Sequence, residues 1–190
     1  MLDTILLQIA KSSILSKLDK NYIFNKDKIV DKYPFLLQNG AAFVTLKSAG
    51  DLRGCIGSIV AHRTLLEDIL HNAIAAGFKD PRFSALHVEE LSGLNLEVSV
   101  LSEPKLLEYK DFEDLCRKLR PNIDGIILKH DIYHSTFLPQ VWEQLQTPKL
   151  FLEHLALKAG SSLAIYEEHP AIYIYQVDAI EEEFNEILPL

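Results

Sequence analysis

The spacing of apolar residues predicts a helix followed by a β-hairpin at the start of the chain. Residues 2–18 have apolar side chains at near-helical intervals, which predicts an amphipathic helix. Its apolar positions are Leu2, Ile5, Leu6, Ile9, Ile14 and Leu18. Residues 42–47 and 52–60 are two apolar runs separated by a turn that contains Gly50, and this arrangement predicts two hairpin strands.

A second helix and a third strand are predicted next. Thr64 and Glu67 have the spacing of a capping box, so a helix is predicted to begin there. Gly77 is predicted to end that helix in a left-handed conformation. Between residues 94 and 100, leucine and valine alternate with polar residues, which predicts a strand with one buried face.

The second half of the sequence has a similar order of elements. Asp111 is predicted to cap a short helix that stops before Pro121. A longer helix is predicted to begin at Thr147 and Pro148 and to end at Gly160. The predicted strands cover residues 126–129, 135–138 and 172–177.

The two halves align at a constant offset of 83 residues, which places Thr64 on Thr147 and Gly77 on Gly160. We therefore predict a duplicated hairpin–helix–strand unit, with copies at about residues 40–101 and 123–178 of one domain. The fold class that follows is α+β, with two intertwined subdomains and mainly antiparallel sheets.

Composition limits the classes of protein to which the chain can belong. Its 190 residues are 48% hydrophobic, which is enough for a core, and its two cysteines lie in apolar segments, so we expect a cytoplasmic protein. A net charge of −8 without a basic cluster makes nucleic-acid binding unlikely. We also expect no membrane insertion, because there is no signal-peptide pattern and no apolar run of about 18 residues.

The segment from Leu52 to Gly57 carries the strongest chemical signal. It places Arg53 and Cys55 between glycines in an otherwise apolar strand, which predicts a bulge or a close approach to the backbone. Cys55 is a candidate nucleophile or redox thiol if a neighbouring cation lowers its pKa, and otherwise it is a small core residue. Gly54 and Gly57 would admit a ligand close to the main chain.

Other polar residues are candidates for the same site. Asp80 is predicted to orient either Arg53 or Arg82, which would leave one guanidinium free to bind a carboxylate or phosphate. Glu97 is a candidate proton acceptor on the polar face of its strand, with Ser99 beside it, although solvent exposure would also explain both residues.

Motifs for metals and common cofactors are not found in the sequence. His130 and His134 straddle a predicted hairpin turn without a third ligand, so we predict no metal site. Phosphate-binding loops, nucleophile elbows and dinucleotide fingerprints are absent, so we predict no cofactor. Gln140, at the end of a strand, is a candidate for hydrogen bonding to a ligand across a cleft.

Several of these segments together resemble the AMMECR-one domain family, and in particular its prokaryotic group called AmmeMemoRadiSam system protein A. The resemblance extends over about residues 5–178. The segments that carry it are Leu52-Arg53-Gly54-Cys55-Ile56-Gly57, Asp80-Pro81-Arg82-Phe83, Glu90-Leu91, Glu97-Val98-Ser99-Val100-Leu101, Gly125, Thr136-Phe137-Leu138-Pro139-Gln140-Val141-Trp142, Phe151-Leu152 and Lys158-Ala159-Gly160.

This resemblance implies an AMMECR-one-like α+β fold of two subdomains, with the Arg53–Gly57 segment near a groove between them. It implies no established catalytic activity. It also implies association with a Memo-like protein and with a radical S-adenosylmethionine enzyme. The role of the chain among these partners is left open by the resemblance.

Two functions remain open at this point. The chain could be an accessory module that holds a small molecule or a peptide, with Arg53, Arg82 and Gln140 as polar anchors. It could instead be an enzyme in which Cys55 is the nucleophile or a radical partner, while Asp80 or Glu97 transfers protons.

Overall fold

The computed structural model describes residues 2–190 and contains both helices and antiparallel strands, so the predicted α+β class is confirmed. In chain order the elements are α1 (Ile5–Leu18), α2 (Lys26–Lys32), β1 (Ala41–Ser48), β2 (Asp51–Gly57), α3 (Leu65–Phe78), β3 (Leu94–Leu101), β4 (Lys105–Leu106), α4 (Phe112–Lys118), β5 (Gly125–His130), β6 (Tyr133–Phe137), α5 (Pro148–Lys158), β7 (Ala171–Tyr175) and β8 (Val177–Glu183). Short 3-10 helices cover Pro34–Leu37, Val88–Gly93, Pro139–Glu143 and Leu163–Glu168.

The chain forms two compact units, each with its own core. The first comprises residues 2–101 and 178–190, and the second comprises residues 102–177. None of the helices in residues 2–190 has both the length and the apolar character that crossing a membrane requires.

The first unit is built on a four-stranded sheet with the order β2-β1-β3-β8. β1 is antiparallel to both β2 and β3. Alternate residues of β1 and β3, such as Val44 and Val98, are fully buried and form the core with α1 and α3. The side chains between them, such as Thr45 and Glu97, lie on the opposite face, because side chains alternate along a strand.

A buried polar network joins the start of α3 to the hairpin. The carboxylate of Asp68 is 1% exposed and accepts hydrogen bonds from the backbone of Ala42 (2.8 Å), the hydroxyl of Ser58 (2.6 Å) and the amide of Asn72 (3.0 Å). Arg63 lies 3.2 Å from the same carboxylate. These bonds satisfy a charge that would be costly to bury alone, and they fix α3 against β1.

The second unit has a four-stranded sheet with the order β4-β7-β5-β6. β5 pairs antiparallel with both β6 and β7, and α5 covers the core that this sheet shares with Trp142. Asp124 is fully buried just before β5, where its carboxylate accepts hydrogen bonds from the backbone and guanidinium of Arg120.

Most of the predicted element ends are confirmed because they depend on neighbouring residues. Thr64 and Glu67 form the capping box of α3. Thr147 caps α5, Pro148 is its first residue, and Gly160 follows it with a φ of 84°.

Three predicted boundaries are wrong. Gly77 does not end α3 in a left-handed conformation: its φ is not positive, and the helix continues to Phe78. β2 ends at Gly57 instead of residue 60. The hydroxyl of the next residue, Ser58, donates a hydrogen bond to Asp68. The strand predicted over residues 172–177 ends at Tyr175, because the backbone of the next residue, Gln176, pairs with Ser102.

The sequence patterns did not predict α2, β4 or β8. β8 carries a run of acidic residues, and Glu181 within it is paired with Lys47 of β1. Each unit contains a hairpin, a helix and a strand that pairs beside the first hairpin strand. A common origin of the two by duplication stays a prediction.

Gly54 is the point at which β2 comes closest to α3. A Cβ atom on Gly54 would overlap the carbonyl oxygen of Ala76 in that helix. The obstacle is backbone, which cannot move aside as a flexible side chain would. Gly54 is therefore required for packing of the helix against the strand, and its missing side chain faces the interior of the unit.

Replacing Gly54 by alanine should lower the free energy of unfolding by about 1–3 kcal/mol, because a methyl group would force α3 away from β2. Urea unfolding followed by circular dichroism measures this change. Gly93→Ala is the control, since a Cβ there meets no atom within 4 Å and should change stability by less than about 0.5 kcal/mol. Equal stability of the two variants would contradict this packing role.

Candidate functional site

Cys55 lies on β2, which is an edge strand of the first sheet. Side chains of the turn after α3 satisfy both of its backbone groups. The Cys55 N–H donates to the carboxylate of Asp80 at 2.9 Å, and its carbonyl accepts from Arg82 Nη2 at 3.2 Å. The Asp80–Arg82 pair therefore occupies the position in which a neighbouring strand would hydrogen-bond.

Asp80 and Arg82 also hold each other. Arg82 Nε and Nη2 donate to the two carboxylate oxygens of Asp80 at 2.9 Å and 2.7 Å, which is the bidentate geometry of a strong ion pair. The backbone N–H of Arg82 donates to the same carboxylate at 3.1 Å. The side chain of Asp80 is 1% exposed, whereas that of Arg82 is 53% exposed.

These bonds determine the protonation state of Asp80. The hydrogen bonds from the Arg82 guanidinium hold the pKa of the Asp80 carboxyl well below its usual range, although burial opposes this shift. The same pairing raises the pKa of Arg82. Asp80 is therefore ionised at neutral pH, and it is a poor proton acceptor.

Arg53 is held by a different carboxylate. Its Nε and Nη2 donate to the two oxygens of Glu90 at 2.7 Å and 3.1 Å, and Nη2 also donates to the carbonyl of Ser84 at 3.1 Å. Its Nη1 is buried and has no hydrogen-bond partner in the described residues. The interaction with Arg53 lowers the pKa of Glu90.

The prediction that Asp80 would leave one guanidinium unpaired is therefore wrong. Asp80 orients Arg82, and Glu90 takes Arg53. Both guanidinium groups approach the ring of Phe83, at 5.9 Å for Arg53 and 5.5 Å for Arg82, within the range of cation–π contacts. The cluster contains two cations and two anions in close contact, so its formal charge is balanced.

The predicted irregularity of β2 is located at Arg53. Leu46 is paired with Gly54, but the next residue, Lys47, is paired with Leu52, so Arg53 is the additional residue of a bulge. The bulge re-aims the Arg53 side chain, which bonds to Glu90 of the 3-10 helix.

The thiol of Cys55 lies on the polar face of the sheet and is half-buried. Its Sγ accepts a hydrogen bond from the hydroxyl of Thr45 on β1, at 3.3 Å. In residues 2–190 no histidine is hydrogen-bonded to it. The usual pairing of a nucleophilic cysteine with an imidazole base is therefore not formed by the described side chains.

Glu97 occupies the same row of the sheet, because Thr45 is opposite Cys55 on one side and opposite Glu97 on the other. Glu97 accepts hydrogen bonds from Lys47 Nζ at 2.7 Å and from Ser99 at 2.8 Å. Ser99 is 3% exposed, so the open solvent exposure that the sequence allowed for it is not observed. Glu97 is half-buried and already paired with a cation.

The glycines flanking Cys55 have packing roles. Gly57 lies beneath the ring of Phe43, which is its cross-strand partner, and a Cβ on Gly57 would overlap that ring. Gly54 faces α3. At both glycines, the groups that come close to the backbone are therefore parts of the protein itself, namely α3 and the Phe43 ring.

The remaining candidates lie in the second unit. Gln140 is exposed in the 3-10 helix over Pro139–Glu143. His130 and His134 flank the hairpin turn as predicted, where His130 bonds to Glu168 at 2.8 Å and His134 to the carbonyl of Asp131 at 2.8 Å. Within residues 2–190, no three His, Cys, Asp or Glu side chains are grouped as metal ligands.

Sequence reasoning missed Glu90, Thr45 and Phe83 as parts of this cluster. Glu90 had a usable signal, because it stands three residues after His87, and this spacing gives a capping arrangement. Thr45 had no such signal, since its contact with Cys55 depends on the register of two strands.

Comparison with known proteins gives consistent matches over most of the chain. A family model described as AMMECR1 matches residues 7–180. Protein MJ0810 of Methanocaldococcus jannaschii is 32% identical over 172 residues, which cover 86% of this chain and 84% of that protein. Protein LS215_2104 of Saccharolobus islandicus is 38% identical over 163 residues, which cover 82% of this chain and 70% of that protein.

A solved structure is also similar. The crystal structure of uncharacterized protein PH0010 from Pyrococcus horikoshii matches with a TM-score of 0.78 and 31% identity, over 98% of this chain and 96% of that one. These similarities concern both the sequence and the fold.

Replacing Asp80 by asparagine should lower the free energy of unfolding at pH 7 by about 1–3 kcal/mol, because the amide cannot accept all four hydrogen bonds. The difference from the unaltered protein should shrink as the pH falls below about 4, since a carboxyl with a depressed folded pKa loses its contribution there. Urea unfolding between pH 2.5 and 7 measures both effects. Asp51→Asn is the control, because Asp51 is exposed at the start of β2 and makes no salt bridge with a described residue. A difference that did not change with pH would contradict this role of Asp80.

Proposed function

The chain belongs to the AMMECR1 family, and we propose that it is an accessory binding component and not an enzyme. Its binding surface would be the cluster of Arg53, Cys55, Asp80, Arg82 and Glu90 on the first unit. One observation carries this proposal: the buried Asp80 carboxylate is used to fix the backbone of Cys55 and the guanidinium of Arg82. It is thus a positioning group and is unsuited to proton transfer.

The cluster has the properties of a preorganised recognition surface. Asp80 holds the Arg82 guanidinium in one orientation, yet half of that side chain is accessible to solvent and its Nη1 forms none of the hydrogen bonds in the described residues. A fixed guanidinium loses little conformational entropy when it binds a carbonyl or carboxylate. The ligand would therefore be a small molecule or peptide that carries such an acceptor.

Exposed apolar side chains next to the cluster favour a protein partner. Leu52 is 43% exposed beside Arg53 in the sequence, and Val88 is 58% exposed at the start of the 3-10 helix that supplies Glu90. Apolar side chains bordering a fixed polar group are typical of interaction surfaces. We propose that the partners are a Memo-like protein and a radical S-adenosylmethionine enzyme, as the family resemblance implies.

A second candidate function is an enzyme that uses the Cys55 thiolate. The observation in its favour is the hydrogen bond from Thr45 to Sγ, because a donor to sulfur stabilises a thiolate. Glu97 would then have to act as the proton acceptor, although it is paired with Lys47. Our proposal favours binding because each carboxylate of the cluster is already paired with a cation.

Partner binding can be tested by co-purification of the tagged chain with co-expressed Memo-like and radical S-adenosylmethionine proteins. We expect Leu52→Glu to weaken retention at least tenfold, because it places a charge on the proposed surface. Leu157→Glu, at a position 55% exposed on α5, is the matched control and should have no effect. Retention that is absent for the unaltered chain, or unchanged in Leu52→Glu, would count against this partnership.

Alkylation of the native protein separates binding from thiol catalysis. For a binding component we expect Cys55 to react with iodoacetamide slowly at pH 6 and faster towards pH 9, as an ordinary thiol does. Cys116 is an internal reference, since burial raises the pKa of its thiol. Peptide mass spectrometry measures the two rates. Rapid labelling of Cys55 at pH 6 would favour the enzyme instead.

A further inference from the structure

The first unit also contains a second candidate site, a cleft lined by residues other than those of the cluster around Cys55. It lies between α1 and α2 and has a volume of about 300 Å³. Ile5 of α1 and Ile29 of α2, together with the ring of Tyr33, give it apolar walls. Clefts of this kind are small-molecule sites when a few polar groups converge on an apolar interior.

Two lysines are the charged groups of this cleft, which Gln8 and Asn25 also line. Lys28 and Lys32 are one turn apart on α2, so both lie on the same side of the helix as Ile29. Neither forms a salt bridge with a described residue, although the chain as a whole carries a net charge of −8. Lys32 Nζ is 5.2 Å from the centre of the Tyr33 ring, which keeps this ammonium group beside the cleft.

Hydrogen bonds hold one wall of the cleft, and a glutamine adds a further donor. Gln8 of α1 lines it, and its side-chain amide has no hydrogen-bond partner in the described part of the chain. Leu190 forms another part of the wall, where its N–H donates to Ser12 at 2.9 Å and its carbonyl accepts from Tyr22 at 2.7 Å. The wall is therefore anchored before any ligand binds.

We propose that this cleft binds a small amphipathic anion, namely a carboxylate with a short apolar tail. The tail would contact Ile5, Ile29 and Tyr33, and the carboxylate would lie between Lys28 and Lys32. The volume is at the lower end of the roughly 300–1,000 Å³ found for ligand pockets, which limits the length of the tail. This site is separate from the proposed function and does not depend on it.

Octanoate is the probe that tests this proposal, with 1-octanol as its neutral analogue. Isothermal titration should show octanoate binding at one site, with an affinity at least tenfold higher than that of 1-octanol. Chemical-shift changes in an amide NMR spectrum should be confined to α1, α2 and the residues near Leu190. The double variant Lys28→Gln/Lys32→Gln should bind octanoate at least tenfold more weakly.

A matched control makes the test specific for position. Lys20→Gln/Lys26→Gln removes the same charge at exposed positions that do not line the cleft, and it should bind octanoate as the unaltered protein does. Equal weakening in both double variants would overturn the proposal, since it would indicate a general charge effect. The proposal would also be overturned by equal affinity for 1-octanol, by shift changes elsewhere, or by no binding at all.

Discussion

The structure around the candidate site depends on the burial of one carboxylate. Asp80 is almost completely removed from solvent, so its charge must be satisfied by hydrogen bonds, and it receives them from one guanidinium and two backbone N–H groups. Because one of those N–H groups belongs to Cys55, the same ion pair positions β2 relative to the turn after α3. Loss of the Arg82 guanidinium would leave the buried Asp80 carboxylate without its counter-charge, whereas Arg82, with 53% of its side chain exposed, would be solvated by water.

This constraint explains why the cluster suits recognition better than proton transfer. A general base needs a pKa near the working pH and a free lone pair directed at the reactant. Asp80 has neither, since Arg82 depresses its pKa and its oxygens are already bonded. Glu90 is paired with Arg53, which lowers its pKa, and the carboxylate of Glu97 is already bonded to Lys47. What the cluster retains is a fixed arrangement of donors, which is the requirement for selective binding.

Local patterns made the elements of the fold predictable where each signal lies within one turn or one strand. Thr64 with Glu67, and Thr147 with Pro148, marked helix starts because caps bond only to residues three positions away. The prediction for Gly77 was wrong because a glycine inside a helix has the same local pattern as one that ends it. Here α3 continues to Phe78, and the Gly77 carbonyl accepts a hydrogen bond from the N–H of Leu86, outside the helix, at 2.8 Å. β8 was missed because a strand carrying consecutive acids lacks an apolar alternation.

The site was predictable only in part, because its contacts join residues that are far apart in the sequence. The types of residue around Cys55 indicated a polar cluster, but the choice of partners depends on the turn that brings Glu90 and Asp80 to β2. The Arg53–Glu90 pair joins residues 37 positions apart. The spacing of residues in the sequence does not show which of them are close in space. Whether Arg53 pairs with Asp80 or with Glu90 therefore could not be decided from the sequence.

The two outer strands of the first sheet are protected from intermolecular strand addition in different ways. On β2 the ion pair takes up the main-chain groups of Cys55, while β8 carries Asp178, Glu181, Glu182 and Glu183, whose charges repel a second copy. Both protections rely on ionised carboxylates. Because the Arg82 guanidinium holds the pKa of Asp80 well below its usual range, the border at β2 keeps its protection further into acid than a carboxyl of ordinary pKa would allow.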